Sequence, residues 1–234
     1  MKKTDLFIGI YLLAAIVFMI ISVPSGILDV LLAFNMFVAL VVLFNALFSK
    51  EAMDMSSFPT ILLLTTLFRI SLNISSTKLI LKTGNPGKVV ETFGEFVGGS
   101  DIVIGIIVFI ILIIVQFMVI NKGSERVAEV TARFTLDAMP GKQMAIDADL
   151  NTGAITDAQA KERREKIQAE SAFYGSMDGA VKYVKGDATA GLMITFINVI
   201  GGIVMGVWRQ GMDITEALNQ YTILTIGDGL VSAL

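Results

Sequence analysis

Residues 102–120 read IVIGIIVFIILIIVQFMVI, without one charged side chain or proline. A run of this length matches the hydrocarbon core of a bilayer, which is about 30 Å thick and takes about 20 mostly apolar helical residues to cross. In that environment backbone polar groups bond only to each other, so the spanning structure is a helix. Four more mostly apolar runs occupy 6–23, 28–48, 58–81 and 188–208, and a sixth starts near 218. The sixth reaches the last residue with no polar flank, so we expect a piece of a longer chain. Only 17% of residues are charged, against about 25% in soluble domains, and the charges fall in blocks. The predicted fold is an all-α integral membrane protein with five complete transmembrane helices and the start of a sixth. Residues 1–120 hold helices 1–4, residues 121–187 form a small, mainly helical cytoplasmic insert, and residues 188–234 hold helix 5 and the truncated helix 6.

The chain has no Cys and no His. Disulfides, thiolate or imidazole metal sites and His-dependent triads are therefore ruled out. No phosphate-binding loop is present: GNPGK (84–88) and MPGKQ (139–143) lack the required spacing. With no nucleophile–base set, we expect no enzyme, no cofactor and no resident metal. A net charge of −3 gives no reason to expect nucleic acid. Any proton chemistry falls to groups such as carboxylates, whose pKa burial raises.

Lys and Arg set the orientation. Segments 1–5, 49–57 and 121–187 hold 13 of the 18 basic residues, which places the N-terminus in the cytoplasm. The first run is longer than a signal-peptide core and no A-x-A cleavage site follows it, so it reads as a span.

The third run is the most polar. Its Thr66, Arg69, Asn73 and Ser76 recur at helical spacing on one face. A charge inside a span is costly, so Arg69 is either an anchor capped by a neighbouring helix's carbonyls or the wall of an aqueous path. The fifth run carries Gly191, Thr195, Asn198, Gly202 and Gly206, and the Gly202/Gly206 pair suits close helix packing. Asp187 stands where the insert re-enters the membrane, with Lys182 nearby. It is either the N-cap of the fifth helix or an ion acceptor at the mouth of a path. Asp228, within TIGDG, is a second carboxylate in apolar surroundings and a functional candidate for that reason.

The insert holds 10 basic and 11 acidic residues, a balance that fits a folded or docked module. SERVAEVTARF should continue the fourth helix. Pro140-Gly141 should break it, and DADLNTG should form a turn-rich loop. Thr156 and Gln159 fit a capping box, after which Phe173, Met177, Val181 and Val184 make a helical apolar stripe. Asp147, Asp149 and Asn151 resemble the start of a calcium loop. Gly153 comes one place late, however, and Ala158 stands where a bidentate Glu is needed. Lys142, Asp147 and Asp149 remain as candidate coupling residues of the insert.

The words SERVAEVTARFTLDAMPGKQMAIDADLNTG, AESAFYGSMDGAVKYVKGDATAG and TIGDGLV resemble the signature blocks of the FHIPEP (FlhA) family. These are the large export-gate proteins of flagellar and injectisome type III secretion. The resemblance implies a place in the bacterial inner membrane, a nonameric homo-oligomeric ring, and contact with other membrane subunits of the export apparatus. It also implies coupling of proton or sodium motive force to export of unfolded proteins. Family members have eight spans and a cytoplasmic C-terminal domain that docks substrates. Carried over on matching positions, the functionally sensitive residues are Arg126, Arg133, Asp137, Lys182, Asp187 and Asp228, with Asp187 the first choice for ion coupling. AIDADLN is closer to flagellar members. Arg133 and Asp137 stand at i,i+4 and can pair, within one insert or between copies. The rival reading is an ion-coupled transporter or channel unrelated to protein export, which would call for inverted repeats and broken helices.

Overall fold

The computed structural model describes residues 3–50, 52–98 and 102–233. Every regular element among them is helical. In chain order these are α1 (Lys3–Ile20), α2 (Ser25–Phe48), a 3-10 turn (Ala52–Met55), α3 (Phe58–Thr83), α4 (Lys88–Gly98) and α5 (Ile102–Val115). A π-helical turn (Gln116–Asn121) joins α5 to α6 (Lys122–Asp137), followed by α7 (Met139–Asn151), α8 (Asp157–Gln210) and α9 (Ile214–Ala233). Four stretches are long and apolar enough to cross a membrane: Ser25–Phe48, Phe58–Thr83, Val103–Asn151 and Asp157–Gln210. The apolar part of α1, Ile8–Ile20, is shorter.

α9 is the central helix, and α3, α4, α5 and α8 pack on it. Tyr221, Leu224, Thr225, Ile226, Asp228 and Val231 are all buried, which is how a helix this polar fits the middle of a greasy chain. Leu28 and Leu32 of α2, Leu72 of α3, Val90 of α4 and Val231 of α9 form the main core. The outer faces of α2 and α5 expose Phe34, Leu40, Phe44, Ile107, Ile111 and Ile114, the surface a bilayer would cover.

α4 is an element that periodicity did not reveal, because its apolar run is too short to span. Its fit depends on glycines: a Cβ on Gly227 would strike the Val90 carbonyl, and one on Gly94 the Ile223 carbonyl. The two backbones therefore touch. The N-terminus of α4 is capped from α2, since the Asp29 carboxylate accepts from the Lys88 and Val89 amides at 3.0 and 2.9 Å. This satisfies donors that a helix start otherwise leaves unpaired. Gly202 and Gly206 serve packing, as expected, and their surface receives the Tyr221 ring of α9.

Two expectations need correcting. Residues 147–151 are helical rather than a loop. Ile146 and the half-buried Leu150 pack with Ala160 and Ile167 of α8, and this burial outweighs the turn preference of Asp and Asn. The break falls at Ala138, and Pro140 sits in the first turn of α7, where its missing N–H costs nothing. Gly153, at φ +75°, ends α7. The second correction concerns the junction at 187/188. α8 starts on the expected Thr156–Gln159 capping box and runs unbroken to Gln210. Insert and fifth apolar run are therefore one rod.

Candidate functional site

The polar face of α3 points inward. Thr66, Asn73 and Ser76 are buried, and Arg69 reaches across to Asp187 of α8. Its Nε donates to Asp187 Oδ2 at 2.8 Å, and Nη2 donates to the same oxygen. The Asp187 side chain is 5% exposed and that of Arg69 26%. Asp187 lies deep inside α8, so it is not an N-cap; it is the counter-ion of Arg69. The partner of Arg69 is accordingly a carboxylate rather than helix carbonyls. Both residues line a cavity of about 240 Å³, together with Asn73, Gln116, Thr195, Asp228 and Ser232.

Polar pairing continues from there between α3, α8 and α9. The Ser232 hydroxyl lies 2.8 Å from Asn73 Oδ1 and 2.7 Å from the Asp228 carbonyl, its two acceptors. Asn198 Nδ2 donates to Asp228 Oδ2 at 3.0 Å in a fully buried contact. At about 1.5 Å per residue, Asp187 to Asn198 covers about 16 Å along α8, roughly half of a hydrocarbon core. This track is the most concentrated polar chemistry inside the apolar part. An acidic group, a guanidinium and neutral amides and hydroxyls facing one cavity can hold and pass a small cation or a proton.

Lys182 stays outside the track. It is exposed and donates to Asp178 on its own helix at 2.6 Å. That hydrogen bond and the Asp178 charge hold its ammonium above the ordinary lysine pKa. Five residues separate it from Asp187, which turns it about 140° round the helix. Arg126, Arg133 and Asp137 lie on an exposed face of α6, opposite the side packed on α8. Arg133 Nε is 3.8 Å from Asp137, with both side chains largely in solvent. Lys142, Asp147 and Asp149 brace α7 against α8: Lys142 pairs with Glu170 at 2.8 Å, Asp147 with Arg164 at 2.5 Å and Asp149 with Arg163 at 3.0 Å. Glu125 and Lys185, 2.7 Å apart, tie α6 to α8 two residues from Asp187.

Sequence reasoning missed Gln116 and Ser232. Gln116 carried a signal, being the one polar side chain within 102–120, and it falls in a π-helical turn, an irregularity frequent at functional sites. Ser232 follows Asp228 by one helical turn.

Long apolar helices closing around a buried ion pair define a helical membrane protein with an ionisable interior. The FHIPEP family model matches residues 15–234, and the chain belongs to that family. It is 55% identical over 232 residues to "Flagellar biosynthesis protein FlhA" of Bacillus subtilis, covering 99% of this chain and 34% of that protein. It is 50% identical to "Low calcium response locus protein D" of Yersinia pestis, covering 99% and 33%, and 50% identical to "Protein MxiA" of Shigella flexneri, covering 98% and 34%. The chain thus spans about a third of the length of these relatives. No solved structure matches.

Proposed function

We propose that the chain is the membrane part of a type III protein export component in the bacterial inner membrane, and that it couples ion entry to export. Family membership supports the export role, and the name of the Bacillus relative favours the flagellar pathway. In this reading the chain has five complete spans and the start of a sixth, the N-terminus faces the cytoplasm, and 121–187 is a cytoplasmic insert. The protein works without catalysis as a nonameric ring beside other membrane subunits. Its substrates dock on a part of the protein beyond these residues.

The single observation that carries the coupling role is the Arg69–Asp187 pair, buried where α8 passes from the apolar bundle to the insert. A proton or cation on Asp187 cancels its charge and frees Arg69. Because α8 is continuous, displacement at Asp187 reaches the helices braced on its other end without a joint between. Asp228 is the inner carboxylate of the same path. The test uses the full-length protein at equal membrane levels. Export that survives Asp187→Glu and stops with Asp187→Asn supports coupling; export that survives both refutes it.

A further inference from the structure

Two sides of the bundle carry different material at one depth. Met177 of α8 borders a cavity with Ala46, Ser49 and Phe58, at the ends of α2 and α3 that the 49–57 loop joins. Val184 borders another with Val42, Leu43 and Arg69. Residues 177–187 of α8 therefore run alongside the last turns of α2 and the first turns of α3, within their apolar runs. On the α2 side that level is greasy: Leu43, Phe44 and Leu47 are each more than half exposed. On the α6 and α8 side it is charged. The Lys182 side chain is 64% exposed and pairs with Asp178, Lys185 pairs with Glu125, and the Glu125 and Glu129 carboxylates of α6 lie within electrostatic reach of Lys182. Lys182 shares a helical stripe with Gly175, Gly179 and Gly186, and all three glycines look onto open space. Further along α8 the same stripe becomes Met193, Ile197, Ile200 and Val204, all exposed.

We propose that this α6 and α8 face lines a water-filled recess, open to the cytoplasm, that reaches down beside the bilayer to the level of Asp187, while the α2 face at the same depth meets lipid. Charges held against hydrocarbon are costly, and membrane proteins turn them to protein or to water. Glycines admit a neighbouring helix, but Lys182 stands in the middle of the stripe, and a helix seated there would strip water from it and from the α6 carboxylates. Water leaves them hydrated. From Met177 to Asp187 the recess covers about 15 Å of α8, roughly half of a hydrocarbon core. Ser124 and Val184, at the inner edges of the face, also line the Asp187 cavity, so the recess adjoins it. The insert thus stays in cytoplasmic water although its first and last turns stand at bilayer depth. The cytoplasmic side, and any part in coupling, rest on the reading above; the boundary between water and lipid does not.

These residues include no cysteine, so single cysteines report the boundary. Lys182→Cys, Glu129→Cys and Leu43→Cys are made one at a time in the full-length protein, with any cysteine elsewhere changed to Ser and membrane levels matched. Inverted membrane vesicles are then treated with a charged, membrane-impermeant methanethiosulfonate. The reagent attacks through the thiolate, which forms in water and is suppressed in apolar surroundings. Glu165→Cys, exposed in the insert part of α8, sets the full rate. Lys182→Cys and Glu129→Cys should react within about tenfold of it, the effect of a thiol pKa moved by no more than about one unit. Leu43→Cys should react at least about a hundredfold slower, as a thiol held in lipid does. Lys182→Cys and Glu129→Cys as slow as Leu43→Cys would give the face to lipid or to a neighbouring copy and overturn the recess. Fast reaction at all three positions would put the whole level outside the bilayer and overturn it too. If the face is unreactive while Asp187→Asn still stops export, the recess falls and the coupling reading stands. If the face reacts and export survives Asp187→Asn, the recess stands and the coupling reading falls.

Discussion

Replacing Arg69 with Met keeps the length of the side chain and removes the charge that faces Asp187. The carboxylate stays on α8 with its side chain 5% exposed and loses both of its donors from Arg69. Breaking a buried pair by removing one partner costs about 3–5 kcal/mol. Arg69 keeps 26% exposure on the cavity side, so water already screens part of the contact, and about 2–3 kcal/mol is the expected loss here. Asp187→Asn leaves Arg69 with access to the cavity and costs less. The double variant carries neither charge and is more stable than Arg69→Met alone, with a coupling of about 2 kcal/mol. The assay is denaturant unfolding of the full-length protein in detergent, with Arg133→Met as reference. The exposed Arg133–Asp137 pair is worth less than about 1 kcal/mol. If Arg69→Met were no more damaging than Arg133→Met, the buried pair would contribute no special electrostatics and the reasoning would fail.

Further outcomes follow from the same geometry. Gly227→Ala drives a Cβ into the Val90 carbonyl and should separate α4 from α9, abolishing accumulation in membranes as read by immunoblot. Gly175→Ala and Gly179→Ala meet open space and should raise thermal stability, by about 0.5–1 kcal/mol each from helix propensity. Asp29→Ala uncaps α4 and should cost about 1 kcal/mol, seen as faster amide exchange confined to 88–98. Removing Asp147 and Asp149 together should loosen α7 from α8 by less than about 2 kcal/mol, with an effect that fades in high salt, measured by protease cleavage near Gly153.

Four of the apolar runs were legible as helices long enough to cross a membrane, because few structures satisfy the backbone polar groups of such a run. The same holds for the inward face of α3, where polar residues at helical spacing inside a greasy run leave only one side to face. The Thr156–Gln159 box was legible because capping is local. What stayed hidden was set by distance along the chain. Asp187 reads equally as an N-cap or an ion acceptor until its partner 118 residues away is known. Asp29 gives no local sign that it caps a helix 59 residues on. DADLN reads as a loop from Asp and Asn preferences, and only the Ile146 and Leu150 contacts with α8 make it helical. Lys182 is close to Asp187 in number, but the helical turn separates them. Apolar surroundings and family resemblance both marked Asp228, while its donor Asn198 lies on another helix and meets it only in the fold.

In the proposed coupling role, Asp187 works as an ionisable partner of Arg69, beyond acting as a strut. The direct measurement is export by the full-length protein carrying Arg69→Asp together with Asp187→Arg. The exchange keeps the ion pair but moves the carboxylate from α8 to α3. Membrane levels should recover relative to either single change while export stays lost. Recovery of export with the exchanged pair would contradict it, because a strut is all that the exchange preserves.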